Sequence, residues 1–297
     1  MTDDAAIKKL RVLDLFSGIG GFSLGLERTG GFETVAFCEI EPFPRKVLAK
    51  HWPEVPCYED VTKLTGDILE RDGISVDVIT GGFPCQDLST AGKQAGMDEG
   101  TRSGLWSEIV RLIGELRPQY VIVENVAALL SGPIEKRGGW FGRVLGDLAG
   151  CGYDAEWENI PASALGAPHR RERVWIVAYP IKAGGPVRSI FGSCGEWVAR
   201  THANNLVSSW PSPDAWEERA KGHKPQEVSG FSAFSWRQNV RGVEDYFRLP
   251  NIPQPLVFRN SDGFSNAVDR VGACGNSVVP QIPEMIGNAI LQAEASQ

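Results

Sequence analysis

From Arg11 onward the chain alternates short apolar runs with stretches whose apolar residues recur at helical spacing. Val12-Leu13-Asp14-Leu15-Phe16 reads as a buried strand that breaks into Ser17-Gly18-Ile19-Gly20-Gly21, and a helical pattern follows through Phe22, Leu24 and Leu26. Further strands are predicted at Thr34–Glu39, Val55–Val61, Val76–Thr80, Tyr120–Glu124 and Val174–Ala178, with helices at Pro44–His51 and Leu105–Leu116. Strands alternating with helices predict an α/β protein with a parallel, doubly wound sheet. Both faces of such a sheet are covered, which accounts for the nearly continuous apolar strands. After Tyr179-Pro180 this rhythm stops. The next eighty or so residues carry Trp197, Trp210, Trp216 and Trp236 among polar and proline-rich sequence, and read as a second, irregular module. Helical periodicity returns at Pro283–Leu291, where Ile286, Ala289 and Ile290 form an apolar stripe.

Composition narrows the class. Of 297 residues, 42% are hydrophobic and 23% charged, which excludes a wholly disordered chain. The net charge of −7 argues, taken alone, against a nucleic-acid binder. Its distribution reverses that reading: residues 1–160 carry −9, residues 161–260 carry +5 and residues 261–297 carry −3. A field depends on where charges lie, so the basic middle is a candidate surface for phosphates. The six cysteines, at 38, 57, 85, 151, 194 and 274, form no Cys-x-x-Cys and have no His-x₃₋₅-His partner. Neither a zinc site nor a disulfide framework is expected. With no 18-residue apolar run and no signal-like start, a reduced, cytoplasmic protein without membrane or metal is expected.

Three segments carry candidate chemistry. Ser17-Gly18-Ile19-Gly20-Gly21 follows a strand and opens a helix, the position at which a ligand approaches backbone closely. Ser23 stands where a dinucleotide fingerprint needs its third glycine, which favours a ligand without pyrophosphate. Glu39, ending the second strand, is placed for ribose hydroxyls, and Asp60 adds a polar group at the same edge. Gly81-Gly82-Phe83-Pro84-Cys85-Gln86 puts a cysteine just beyond a buried strand. A lone cysteine is more often inert core, but glycine, proline and glutamine suit an exposed loop where a thiolate acts as nucleophile. Glu124 ends the next strand, where a carboxyl can serve as general acid. His169-Arg170-Arg171-Glu172-Arg173 leads directly into an apolar strand, so Arg173 is expected partly inside, facing an anion or a base edge.

Together these segments resemble the DNA cytosine-5 methyltransferase family, in a compact bacterial or phage form. The likeness runs from Asp14-Leu15-Phe16-Ser17-Gly18-Ile19-Gly20-Gly21 through Pro84-Cys85-Gln86, Glu124-Asn125-Val126 and Arg171-Glu172-Arg173 to Gly275-Asn276-Ser277-Val278-Val279-Pro280. It implies a Rossmann-like catalytic domain over residues 1–180 that binds S-adenosylmethionine. It also implies a target-recognition domain at 181–262 and a segment, 263–297, returning to the catalytic domain. Cys85 would attack C6 of a cytosine flipped from duplex DNA, and Glu124 would protonate N3. Arg171 and Arg173 would hold the base O2. The cofactor would lie against Ser17, Gly18, Gly20 and Val61, with Phe16 and Ile40 sandwiching adenine. Glu39 would take the ribose and Asp60 the adenine amino group, while Asn276, Ser277 and Val278 would close the pocket. Gln86–Gly104 would be a loop closing over DNA, with Gln86, Ser89 and Arg102 contacting it.

Two departures stand out: His169 replaces a common glutamine, and no segment matches the family's penultimate motif, Arg241–Leu249 being a poor candidate. The expected partner is double-stranded DNA bound by a monomer, in a salt-dependent way; a cognate restriction endonuclease stays open. The competing readings are an RNA (tRNA) cytosine-5 methyltransferase and a catalytically silent DNA-binding relative. An NAD-dependent oxidoreductase fits worst, because the glycine pattern is broken.

Overall fold

A computed structural model describes residues 8–83, 105–130, 139–165, 171–181, 189–192, 194 and 276–296. Its centre is a seven-stranded sheet in the order β3-β2-β1-β4-β5-β7-β6. The strands are β1 (Leu10–Leu15), β2 (Phe32–Cys38), β3 (Cys57–Tyr58), β4 (Val78–Gly81), β5 (Tyr120–Val126), β6 (Tyr153–Pro161) and β7 (Glu172–Pro180). The helices are α1 (Gly21–Arg28), α2 (Pro42–His51), α3 (Gly66–Arg71), α4 (Trp106–Leu116), α5 (Gly139–Gly150) and α6 (Gln281–Glu294).

β1 to β5 pair in parallel, as the alternating pattern predicts. The expectation of a wholly parallel sheet needs correction at its far side, because β7 runs antiparallel to both β5 and β6. β6 and β7 are successive strands, and a short connection can join only antiparallel neighbours. The strand expected at Val55–Val61 shortens to Cys57–Tyr58, because Asp60 opens a turn: its carboxylate accepts the Thr62 N–H at 3.0 Å and its carbonyl the Lys63 N–H at 3.0 Å.

Side chains alternate across the sheet and divide the core in two. Leu13, Leu15, Ile79, Val121, Val123 and Ile176 face α3, α4 and α5, which contribute Leu69, Ile109, Leu112, Val144 and Leu148. Val12, Val78, Ile122, Trp175 and Val177 face α1 and α6. α6 therefore shares a core with the first strand. Its approach depends on Gly25 of α1, where an added Cβ would sit 2.2 Å from the Pro280 carbonyl oxygen. Among the described residues no helix is long and apolar enough to cross a membrane.

Candidate active site

Parallel strands leave their carboxyl ends on one edge, and the crevice opens where successive connections leave in opposite directions. Here that point lies between β1, whose chain turns toward β2, and β4, whose chain passes toward β5. The two strands end level, Leu15 opposite Gly81.

The turn after β1 is built by its own polar groups. The Ser17 hydroxyl donates to the Asp14 carbonyl and accepts the Cys38 N–H at 3.2 Å, stapling the turn to the end of β2. Phe16 takes φ 52° and Gly20 φ 85°, the left-handed region that costs little only for glycine. Gly20 is also forced by space, since a Cβ there would lie 2.7 Å from the Trp52 ring. Glu39 is buried and accepts the Gly18 N–H at 2.7 Å and the Glu41 N–H at 2.8 Å. Each of its oxygens keeps a lone pair for another donor. Beside it Ile40 is 68% exposed, an apolar side chain held out at the crevice, and Phe16 is half-buried.

Beyond β3, Asp60 is partly exposed, and its carboxylate is held below the usual range by the Thr62 hydroxyl and N–H and by Lys63 at 3.3 Å. Val61 is buried in the core, so it offers a ligand its main chain rather than its side chain.

On the other side of the crevice Glu124 and Arg173 meet. The antiparallel register sets Val126 opposite Arg173, and Arg173 Nε lies 2.9 Å from Glu124 Oε1. The anion that the basic cluster was expected to face inside the protein is thus Glu124. Burial pushes the Glu124 carboxyl above its ordinary pKa, while Arg173 and Arg171 pull against that rise. Arg171 is lowered by burial and by Arg173, with Glu124 opposing. Glu124 Oε2 lies 3.4 Å from where a Cβ on Gly82 would project, so the carboxyl packs on the root of the segment that leads to Cys85. Asn125 fixes the same root by donating to the Phe83 carbonyl at 3.2 Å.

The returning segment completes this side. Arg171 donates to the Ser277 carbonyl at 2.9 Å, and Val278 packs with the α1–α6 core. Asn276 is exposed and Ser277 half-buried. Cys85, Gln86, Ser89, Arg102 and His169, the 86–104 loop and most of the 181–262 module lie outside the described residues. No cluster of three or more potential metal ligands occurs among the described residues.

The structure adds Asp14, which the sequence reading used only as part of a motif. It is wholly buried, accepting the Ser23 hydroxyl and the Thr80 hydroxyl, each at 2.8 Å. The signal was visible: it is an acidic residue inside the apolar run Val12–Leu15.

A doubly wound sheet thus brings a glycine turn beside a buried carboxylate, and a Glu–Arg pair at the root of the segment leading to Cys85, to one edge. The family model for C-5 cytosine-specific DNA methylase matches residues 10–186, and the chain belongs to that family. It is similar to the type II methyltransferase M2.BsuMI of Bacillus subtilis (strain 168), with 38% identity over 238 residues, 79% of this chain and 53% of that protein. M1.ScrFI of Lactococcus lactis subsp. cremoris, also a type II methyltransferase, is 36% identical over 175 residues, 59% of this chain and 43% of its own. Among solved structures, the S. pombe Dnmt2 methyltransferase is 22% identical with a TM-score of 0.48, covering 62% of this chain and 54% of that one. The chain spans about half the length of the curated relatives it matches.

Proposed function

We propose that this protein transfers a methyl group from S-adenosylmethionine to C5 of a flipped cytosine in double-stranded DNA. The observation that carries the reading is the half-buried Glu124 carboxyl, paired with Arg173 and packed against Gly82, three residues before Cys85. A carboxyl whose pKa is raised by burial is what protonation of a weakly basic ring nitrogen requires.

The Cys85 thiolate adds to C6 while Glu124 donates its proton to N3, and the electron pair released from the C5=C6 bond makes C5 nucleophilic. The cofactor, when bound, supplies an electrophilic methyl group on a sulfonium centre. After transfer the C5 proton is lost to a base, N3 returns its proton to Glu124 and the Cys85–C6 bond breaks, which restores the double bond, the carboxylic acid and the thiolate. Arg173 and Arg171 orient the carboxyl and offer N–H donors to the base O2.

The cofactor turn fits such a ligand on three counts. A Cβ on Gly18 would meet nothing within 4 Å, so the turn has open space above it. Glu39 retains acceptor capacity for a ribose diol, and the exposed Ile40 with the half-buried Phe16 offers apolar contact for an adenine ring. Ser17 and Gly20 shape the turn, Asp60 and Val61 border the adenine end, and Asn276, Ser277 and Val278 form the opposite wall. Gln86, Ser89 and Arg102 contact the DNA, and residues 181–262 read its sequence.

Labelled S-adenosylmethionine incubated with duplex DNA or with transfer RNA tests the reading. Label in DNA, lost in Cys85→Ser with cofactor binding retained, is the expected outcome. Label in RNA alone, or a fully active Cys85→Ser, overturns it. Bisulfite sequencing of DNA from cells expressing the protein locates the methylated cytosine.

A further inference from the structure

Asp14 is buried at the switch point of the sheet, and its two oxygens are divided between elements that leave in opposite directions. Oδ2 accepts the hydroxyl of Ser23, in the first turn of α1, directly after the glycine turn. Oδ1 accepts the hydroxyl of Thr80 on β4, five residues before Cys85. The main-chain carbonyl of Asp14 also accepts from Ser17, inside the turn itself. One residue therefore touches both walls of the crevice from below. Filling space does not require this, since an apolar residue would pack here without a buried carboxyl to desolvate. We propose that Asp14 is a positioning residue that locks the cofactor turn to the Cys85-bearing segment, fixing the separation of methyl donor and nucleophile.

The physical basis is that transfer demands near-attack geometry, and displacements of an ångström cost orders of magnitude in rate. β1 and β4 are joined by main-chain hydrogen bonds only as far as Leu15 and Gly81. The Asp14–Thr80 bridge lies one pair before that end. The groups around it are neutral on α1 (Ser23) and on β4 (Thr80), and Glu39, after β2, is the charged neighbour. Burial, reinforced by Glu39 and opposed by the two hydroxyls, raises the Asp14 pKa to about 7. The bridge therefore holds with the carboxyl charged or neutral, as two rotatable hydroxyls can donate or accept.

This inference rests on the methyl-transfer reading, and the test separates the two. For the full chain, S-adenosylmethionine affinity is measured by calorimetry, and the methyl-transfer rate to duplex DNA at saturating cofactor, each well below the variant's unfolding midpoint. Ser23→Ala and Thr80→Val each cut the bridge, so each is expected to weaken cofactor affinity and to lower the transfer rate, both about tenfold. Asp14→Ala should lose both, and Asp14→Asn, which keeps one acceptor and one donor, should restore both to within about threefold of wild type. Variants that lower only the unfolding midpoint, with affinity and rate unchanged, overturn the proposal in favour of packing. Should Asp14→Ala fail to fold, the two single-hydroxyl variants carry the same contrast. If the wild type binds cofactor but methylates no DNA, the functional reading fails and the affinity arm still decides. In that case weaker affinity in Thr80→Val, whose hydroxyl lies outside the cofactor turn, as well as in Ser23→Ala supports the bridge, and wild-type affinity in Thr80→Val overturns it. A wild type without cofactor affinity overturns both.

Discussion

Asp14 and Glu124 are two carboxyls on the same face of one sheet, the first wholly buried and the second half-buried, and the protein treats them differently. Asp14 sits among neutral donors, the hydroxyls of Ser23 and Thr80, and no cation appears among its described partners. Glu124 faces two guanidinium groups, with Arg173 at 2.9 Å and Arg171 close enough to act on it. Hydroxyls satisfy hydrogen bonds but do little for charge, so the Asp14 pKa climbs to about 7. Arginines hold Glu124 against the same burial penalty and leave it beside the crevice, where a base could displace one of them. The first arrangement joins structural parts through neutral donors, whereas the second sets a carboxyl against two cations.

That contrast can be broken from either side. The largest effect is expected for Glu124→Gln, which removes the proton donor while preserving shape. Methyl transfer should fall about 10²–10⁴-fold, measured by label incorporation well below the variant's unfolding midpoint. Arg173→Ala should cost about 3 kcal/mol of stability in denaturant titration, because Glu124 would keep only Arg171 as counter-charge. The double variant with Glu124→Gln should recover part of that loss; no recovery would mean the pair is not coupled.

Asp14 should announce itself through pH. Its folded pKa is raised above the unfolded value, so its stabilising contribution is complete below about pH 4 and declines as pH rises toward about 7. Wild type should therefore lose up to about 1.4 kcal/mol per pH unit in that window relative to Asp14→Asn, measured by denaturant titration across pH 4–8. Parallel stability curves for the two proteins would contradict the buried, cation-free environment.

Much of the sheet was legible because its strands are apolar on both faces. Val12–Phe16, Thr34–Glu39, Tyr120–Glu124 and Val174–Ala178 all lie on observed strands or their edges. β6 was not legible, because Asp154, Glu156 and Glu158 interrupt its apolar pattern at the sheet's edge. α5, with five glycines and alanines among its twelve residues, also gave no helical signal. Glu124 and Arg173 were each visible as unusual neighbours of apolar strands, but their pairing depends on the antiparallel register of β5 and β7. No local pattern encodes which strands lie side by side. Ser23 stood out only as a missing glycine, and its partnership with Asp14 follows from the helix turning back over the strand.

The docking of α6 against Gly25 has a consequence for how such a chain can vary. The strand β7 and the wall at 276–278 are tied by Arg171 and Ser277, although residues 182–275 intervene almost entirely between them. In a flexible-chain approximation the entropy of closing a loop grows only with the logarithm of its length, about 0.6 kcal/mol for each doubling. Ile190 and Cys194, the part of that stretch buried in the core shared with α1 and α6, are bound to the framework, so only the number of residues beyond them enters this slow logarithm. The tie between Arg171 and Ser277 is thus held by the core beneath it and depends little on how much chain joins its two ends.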